Sequence, residues 1–355
     1  MYRVGILGAT GAVGQKFIEF LDGHPWFDIT ALAASERSAG KTYREAVNWI
    51  GSTAIPEQIA AMEVVACEPG LDCDFVFSGL TADVAGDIER QFAEAGYPVI
   101  SNARNYRMEP DVPLLIPEVN PDHIALIDQQ QWGNGGFIVT NPNCSTVGLV
   151  CALRPLADAF GIDAVQVTTL QALSGAGYPG VSSLDALGNV VPYIGGEEEK
   201  MVAEPRKLLG TLENGQVHPA ELLISAQCNR VPVLDGHLEC VSVRLRTPAE
   251  AEAIRAAFLD FQSPIADLDL PSAPERFLQV FEEQAFPQPR RHTGLGRGMT
   301  VSIGRIRPCP ILGVKFIVLV HNTLRGAAGG AVLNAELLVE KGYLQPRTVS
   351  ASATA

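Results

Sequence analysis

The run Asn141-Pro-Asn-Cys-Ser-Thr-Val-Gly148 sets a cysteine where a nucleophile works best. The residues before it, 136–140, read as a short buried strand, and 146–160 carry helical apolar spacing. Cys144 therefore falls at a strand-to-helix junction among small polar neighbours. Free amides at a helix start lower a thiol pKa and supply donors for a developing oxyanion. A lone cysteine is more often buried and inert, but these flanks reverse the weighting.

Three more groups follow it. Residues 171–180, Gln-Ala-Leu-Ser-Gly-Ala-Gly-Tyr-Pro-Gly, form a glycine-rich loop after a strand expected over 164–170. Residues 197–201 open a helix, which puts Glu197 and Lys200 three apart on one face. Residues 228–237 carry Arg230 and His237, expected to flank a short strand and its turn. Singly these are a solvated helix pair, a surface cation and a structural histidine. Beside Cys144 they become an acid/base near neutral pH and a fork for a carboxylate or phosphate. No His-Glu-x-x-His or paired Cys/His spacing occurs, so no metal is expected.

The elements that must position this chemistry begin at Tyr2. A strand runs into Gly8-x-x-Gly11-x-x-Gly14, with Thr10, Ala12 and Val13 completing the loop, and a helix follows. Gly8 permits the tight turn, Gly11 the approach of a pyrophosphate, and Gly14 the packing of helix on strand. Strand-to-helix context makes this triplet a dinucleotide site. Strands over 29–34, 74–78 and 98–101, with a helix over 81–95, extend it into a Rossmann-type doubly wound parallel sheet. After the second strand, Glu36 suits the ribose hydroxyls of NAD. Ser35, Arg37 and Ser38 form the better nest for a 2′-phosphate, so NADP is favoured.

At 355 residues, 47% hydrophobic and 19% charged, the chain has room for two globular domains. A net charge of −14 argues against nucleic acid and anionic membranes as partners. No apolar run reaches membrane-spanning length, and a strand starting at Tyr2 leaves no room for a signal peptide. Seven scattered cysteines suggest a reducing compartment, most simply the cytoplasm.

These motifs together resemble the aspartate-β-semialdehyde dehydrogenase family, in the branch common in archaea and fungi. The similarity runs from Gly5 to about Tyr343. Its markers are the Gly8–Gly14 loop, Ser101-Asn102, Asn105-Tyr-Arg-Met108, Asn141 to Thr146, Ser174-Gly-Ala-Gly177, Glu197 to Met201, Arg230 to His237, and His321 to Ala328. The resemblance implies that Cys144 attacks an acyl phosphate, Gln171 orients the thioacyl intermediate and His237 manages protons. Arg230 would clamp the substrate α-carboxylate and Glu197 its amino group; Arg107, Asn143 and Lys200 would hold the phosphate. Asn322 would approach the nicotinamide, carried by a C-terminal helix over 327–341, and Ser174 and Gly175 join the cofactor-facing set. The implied reaction turns L-4-aspartyl phosphate into aspartate semialdehyde with NADPH, on the route to lysine, threonine, methionine and isoleucine.

One departure stands out: Arg104 occupies a position where a small residue is expected. It keeps open a malonyl-CoA reductase, which resembles the same branch. N-acetyl-glutamyl-phosphate reductase keeps its cysteine in Pro-Gly-Cys-Tyr, unlike this chain, and glyceraldehyde-phosphate dehydrogenase uses a different cysteine context. A non-catalytic NADP-binding regulator on the same fold is the reading from another class. The expected architecture is a cofactor domain, 1–141 with 322–345, and an α+β catalytic and dimerisation domain, 142–321. A frayed tail follows over 346–355, and the loop 287–297 is expected to be mobile. Strands over 238–244, 299–307 and 314–320 should form a mostly antiparallel sheet with 164–170. Helices would cover one face and a second subunit the other, because 315–320 is too apolar for water. The assembly would be a homodimer or homotetramer.

Overall fold

The structure is a computed structural model that describes residues 1–346; the tail expected to fray lies, from 347 onward, outside the described residues. Glycine turns and β-branched runs build a first, six-stranded sheet. Its strands are β1 (Tyr2–Leu7), β2 (Phe27–Ala34), β3 (Val64–Ala66), β4 (Phe75–Ser78), β5 (Pro98–Ser101) and β6 (Phe137–Thr140). Their spatial order is β3-β2-β1-β4-β5-β6, and every pairing is parallel. The order reverses between β1 and β4, where such sheets open a crevice beyond the strand carboxyl ends. The glycine loop after β1 and the Asn141–Asn143 turn after β6 both lie at those ends.

Helix Gly329–Glu340 is apolar nearly all round, as a helix enclosed by protein must be. It buries Val332, Leu333 and Leu337 in the same core as Val4, Ile6 and Phe17 of the first sheet.

The second sheet contains β7 (Ile162–Gln171), β10 (Leu223–Arg230), β11 (His237–Leu245), β12 (Leu278–Val280), β13 (Val301–Cys309) and β14 (Gly313–Val320). A separate hairpin, β8 (Thr211–Glu213) and β9 (Gln216–His218), stands apart from it. The order is β10-β7-β11-β14-β13-β12, with parallel pairs at the two edges and antiparallel pairs between. Helix Cys144–Phe160 covers one face, packing Val147, Val150 and Leu153 in one core with Val167, Val241 and Val318.

Two expectations need correction here. Arg230 and His237 do not flank a short strand and its turn. They end β10 and begin β11, two long strands separated in the sheet by β7. Second, the segment that carries Pro289 and Thr293 lies against the second sheet, where both sit with Leu319 of β14 around Gly236. That segment belongs to the loop expected to be mobile. It is packed in place, with the His292 ring 4.6 Å from both Phe281 and Phe286 and its Nδ1 accepting from Gln288 N–H at 2.8 Å.

A buried ion pair ties the C-terminal segment to the loop between β5 and β6. Arg325 donates from both terminal nitrogens to Glu118, at 2.6 Å each, and both side chains are almost wholly enclosed. Arg325 sits in a π-helical turn, Leu324–Ala328, whose Gly326 presses on Cys144. A Cβ on Gly326 would lie 2.7 Å from the Cys144 Cβ, so this turn must stay side-chain-free. Removing one partner leaves a buried charge uncompensated, at about 3–5 kcal/mol. Glu118→Ala is therefore expected to lower the thermal midpoint by several degrees; an unchanged midpoint would show that the pair is not needed for stability.

Candidate active site

Sheet register brings the catalytic candidates together. Arg230 pairs with Gln171 across β10 and β7, and Leu238 with Leu170 across β11 and β7. Arg230, Gln171 and His237 thus share one end of three neighbouring strands, all with buried side chains. Helix Cys144–Phe160 points its N-terminus at that end. Cys144 is its first residue, not a residue ahead of it, and its Sγ lies 3.2 Å from His237 Nε2.

The helix start is not a set of free amides. Asn143 caps it, its Oδ1 accepting from the N–H groups of Ser145 and Thr146 at 3.0 and 3.2 Å. The Cys144 amide is the N–H of this turn left without a partner among the described residues. Any oxyanion forming beside the sulfur has that one backbone donor from the helix, fewer than the sequence suggests.

The thiol also departs from expectation. Burial, reinforced by the Glu197 carboxylate, pushes Cys144 up to about 12 despite the cations of Arg107, Arg230 and Lys200. Burial, with Arg230 nearby, drives His237 down to about 3. A helix end lowers a thiol pKa when its amides face the sulfur; here the cap takes two of them, and desolvation wins. Both shifts favour a neutral thiol beside a neutral imidazole. His237 Nδ1 accepts from Ala172 N–H at 3.1 Å, which leaves the neutral ring's proton on Nε2, facing Sγ.

Helix Glu197–Leu208 supplies the second wall. Glu197 Oε1 accepts from Asn143 Nδ2 at 2.7 Å and Gln171 Nε2 at 3.0 Å, and its Oε2 from Lys200 Nζ at 2.9 Å. Burial alone would raise this carboxyl, but the Lys200 charge and these hydrogen bonds outweigh it and hold the pKa below the usual value. Gln171 Nε2 also donates to Ser145 Oγ, while its buried Oε1 has no partner among the described residues.

One turn pair further along, Glu204 does work that the sequence reading missed. Its Oε1 pairs with Arg107 Nη1 at 2.8 Å and its Oε2 accepts from the Asn143 amide at 2.6 Å. The signal was available: Glu197, Met201, Glu204 and Leu208 recur at helical spacing on one buried face. Arg107 is thereby engaged, its Nη2 donating to the Asn102 carbonyl at 2.8 Å. Asn143 is likewise occupied by its cap and by Glu197. Both line the cleft, and the buried Arg107 Nε has no partner among the described residues.

The cleft holds about 360 Å³ and joins the two halves of the chain. Ala12 and Val13 line it from the glycine loop, Asn102, Ala103 and Arg104 from the end of β5, and Cys144, Ser174, Gly175, Lys200 and Asn322 from beyond. Gly175 is required by crowding, since a Cβ there would stand 2.8 Å from Arg230 Nη1 and 2.9 Å from His237 Cε1. Arg230 meanwhile donates to the Ala172 carbonyl at 2.7 Å. Asn322 is not carried by the C-terminal helix; it lies on the link ahead of it and bridges two loops. Its Nδ2 donates to Ser174 Oγ at 2.8 Å and its Oδ1 accepts from Gly236 N–H at 2.9 Å.

The loop after β1 fits a dinucleotide. Gly8 takes a positive φ of 75°, and a Cβ on Gly14 would fall 2.3 Å from the Gly8 carbonyl oxygen. Helix Ala12–Leu21 begins at Gly11 with no side-chain cap, leaving its first amides for phosphate. Thr10 lies within this turn, whereas Ser35 and Arg37 stand exposed and Ser38 nearly buried beyond the end of β2. That group is separate from the cleft around Cys144.

Comparison with known proteins agrees with this arrangement. Residues 3–127 match the family model described as semialdehyde dehydrogenase, NAD binding domain, and 153–325 that described as semialdehyde dehydrogenase, dimerisation domain. Aspartate-semialdehyde dehydrogenase of Archaeoglobus fulgidus is 51% identical over 96% of this chain and 98% of its own length. That of Schizosaccharomyces pombe is 50% identical over 96% and 99%. Among solved structures, the Candida albicans enzyme with NADP superposes with a TM-score of 0.90 at 47% identity, covering 96% of this chain and 99% of that one. Aspartate semialdehyde dehydrogenase II of Vibrio cholerae gives 0.76 at 31%, covering 96% and 99%. Among the described residues no helix is long and apolar enough to cross a membrane. The chain belongs to the aspartate-semialdehyde dehydrogenase family.

Proposed function

We propose that this chain reduces L-4-aspartyl phosphate to L-aspartate 4-semialdehyde with NADPH, releasing inorganic phosphate. The observation that carries the reading is Cys144 Sγ 3.2 Å from His237 Nε2 in a cleft that continues to an uncapped, glycine-lined helix start. The acyl-CoA alternative draws no support from the relatives, which are named as aspartate-semialdehyde dehydrogenases. A non-catalytic regulator has no need of this Cys–His geometry.

Cys144 sulfur attacks the acyl carbon as the acyl–oxygen bond to phosphate breaks; the thiol proton leaves with the departing phosphate, and the thioester that remains accepts hydride more readily than a carboxylate does. The Cys144 amide donates to the oxygen that gains charge. His237 Nε2–H donates to the sulfur as it becomes anionic; forming an imidazolium would break the Ala172 contact at Nδ1. Bound NADPH supplies the hydride. When the resulting hemithioacetal oxyanion collapses to the aldehyde, the carbon–sulfur bond breaks, the same Nε2–H donates to the leaving thiolate, and a proton from solvent restores the thiol. Arg230, free of any carboxylate among the described residues, takes the substrate α-carboxylate. Glu197, with the unpaired Gln171 Oε1 beside it, takes the amino group.

The chain divides into a cofactor domain, 1–141 with 322–345, and a catalytic and dimerisation domain, 142–321. Packing of helix Gly329–Glu340 into the first sheet's core supports that division. Assembly is at least dimeric, in line with the dimerisation-domain match. The exposed nest of Ser35 and Arg37 favours NADP, as does the NADP in the Candida albicans structure.

In the reverse direction, NADPH is expected to form from NADP only when aspartate semialdehyde and inorganic phosphate are both supplied. Malonyl-CoA with NADPH should give no turnover; the opposite pattern would overturn the substrate assignment. Cys144→Ser should lower turnover by about a thousandfold or more while nucleotide binding persists. The neutral resting pair has its own signature. A raised thiol pKa means less thiolate at neutrality, so the rate of Cys144 alkylation should climb about tenfold per pH unit between about pH 6 and 9. No inflection should occur near the ordinary histidine range. A rate already level below about pH 7 would show a preformed thiolate–imidazolium pair instead.

A further inference from the structure

Asn141 opens the motif that carries Cys144, and Asn102 belongs to a second marker motif, yet the chemistry above uses neither side chain. A third asparagine joins them. Asn334 is wholly buried in the apolar helix Gly329–Glu340, and its Nδ2 donates to Asn141 Oδ1 at 2.6 Å. Asn141 Nδ2 in turn donates to Asn102 Oδ1 at 2.8 Å and to the Ala327 carbonyl at 2.9 Å. Asn102 Nδ2 donates to the Ser78 carbonyl at 3.1 Å. The two backbone carbonyls fix the sense of this chain. Each can only accept, so an amide nitrogen must face it. That leaves Asn141 its oxygen, and among the described residues Asn334 is the side chain that donates to it.

The chain of amides holds the back of the catalytic turn. Ala327 lies in the π-helical turn Leu324–Ala328, whose Gly326 abuts the Cys144 backbone and Cβ. Asn102 and Ala327 line the cleft with Cys144, whereas Asn141 and Asn334 are not part of its lining. We propose that Asn334 and Asn141 are positioning residues that aim the nucleophile from outside the cleft. The assignment rests on Cys144 as the nucleophile of the reaction above. Asn334 sets which way the Asn141 amide faces. Asn141 then clamps the Ala327 carbonyl and Asn102 to the turn that starts the nucleophile's helix. Without the Asn334 donor, the Asn141 oxygen loses its partner and the two contacts on its nitrogen lose their fixed geometry. A displacement of about 1 Å between reacting atoms costs about a hundredfold in rate. Substrate and cofactor are held by other side chains, so their binding should be spared.

Asn334→Leu and Asn334→Ala are compared with wild type in the reverse assay, beside Asn141→Ala and the Asn334→Leu/Asn141→Ala double variant. In Asn334→Leu, kcat should fall about tenfold or more, while the KM values for NADP, phosphate and semialdehyde stay within about twofold. Asn334→Ala should lose kcat to a similar extent although it packs differently, because the missing donor is what the two share. It also serves as the test where Asn334→Leu does not fold. The double variant should fall no further than Asn141→Ala alone, since Asn334 acts through Asn141. An unchanged kcat with a lowered thermal midpoint overturns the proposal and leaves Asn334 a packing residue. Losses that multiply in the double variant overturn it too, as does a rise in the NADP KM alone. Wild type controls for the reading beneath. Without turnover there, the aspartyl-phosphate assignment falls and this one with it; equal turnover in wild type and both Asn334 variants overturns the positioning role alone.

Discussion

Two buried carboxylates, seven residues apart on one helix, hold the catalytic end of this molecule in register. Glu197 gathers Asn143, Gln171 and Lys200; Glu204 gathers Arg107 and the Asn143 amide. Asn143 is gripped at both ends, and Asn143 is the cap that fixes where the nucleophile's helix begins. Each carboxylate is enclosed, and each has a cation and additional donors to repay its desolvation. Loss of either would leave a buried guanidinium or an unsatisfied amide next to Cys144. The wall therefore acts as a unit, and its residues should not contribute additively.

Positioning comes from three directions. The parallel sheet delivers Asn141–Asn143 from the end of β6; the mixed sheet delivers Gln171, Arg230 and His237 from adjacent strand ends. The C-terminal link delivers Asn322 and presses Gly326 onto Cys144. Arg325 and Glu118 lock that link to the loop between β5 and β6. A π-helical turn is an uncommon way to leave a strand, and such turns gather at functional sites because they re-aim the backbone by one residue. Here the extra residue lets a glycine, not a side chain, meet the Cys144 backbone and Cβ.

Much of this was legible in the sequence because it rests on local pattern. The glycine triplet after β1, the strand-to-helix placement of Cys144 and the Glu197–Lys200 spacing all depend on residues within a few positions of one another. What escaped depends on long-range pairing. Nothing near Arg107 announces that Glu204 will neutralise it, because the partners lie 97 residues apart. The strand that ends at Arg230 carried an Ile224-Ala226-Cys228 alternation, yet its neighbour β7 could not be read from that. Likewise, nothing near Leu319 of β14 announces that Pro289 and Thr293, about thirty residues upstream, will sit with it around Gly236.

The resting electrostatics follow from the same wall. A helix N-terminus was expected to favour thiolate, but Asn143 takes two of its amides and Glu197 adds a negative charge near the sulfur. Glu197 is also the group that would take the substrate's amino group, so a feature that recognises substrate works against the free thiolate. Filling the site changes the balance. An ammonium beside Glu197 would cancel the charge that disfavours sulfur anion, while Arg230 would be partly neutralised by the α-carboxylate. A sulfur held as thiol is also the less reactive form toward oxidants and electrophiles, whose reactions need the thiolate.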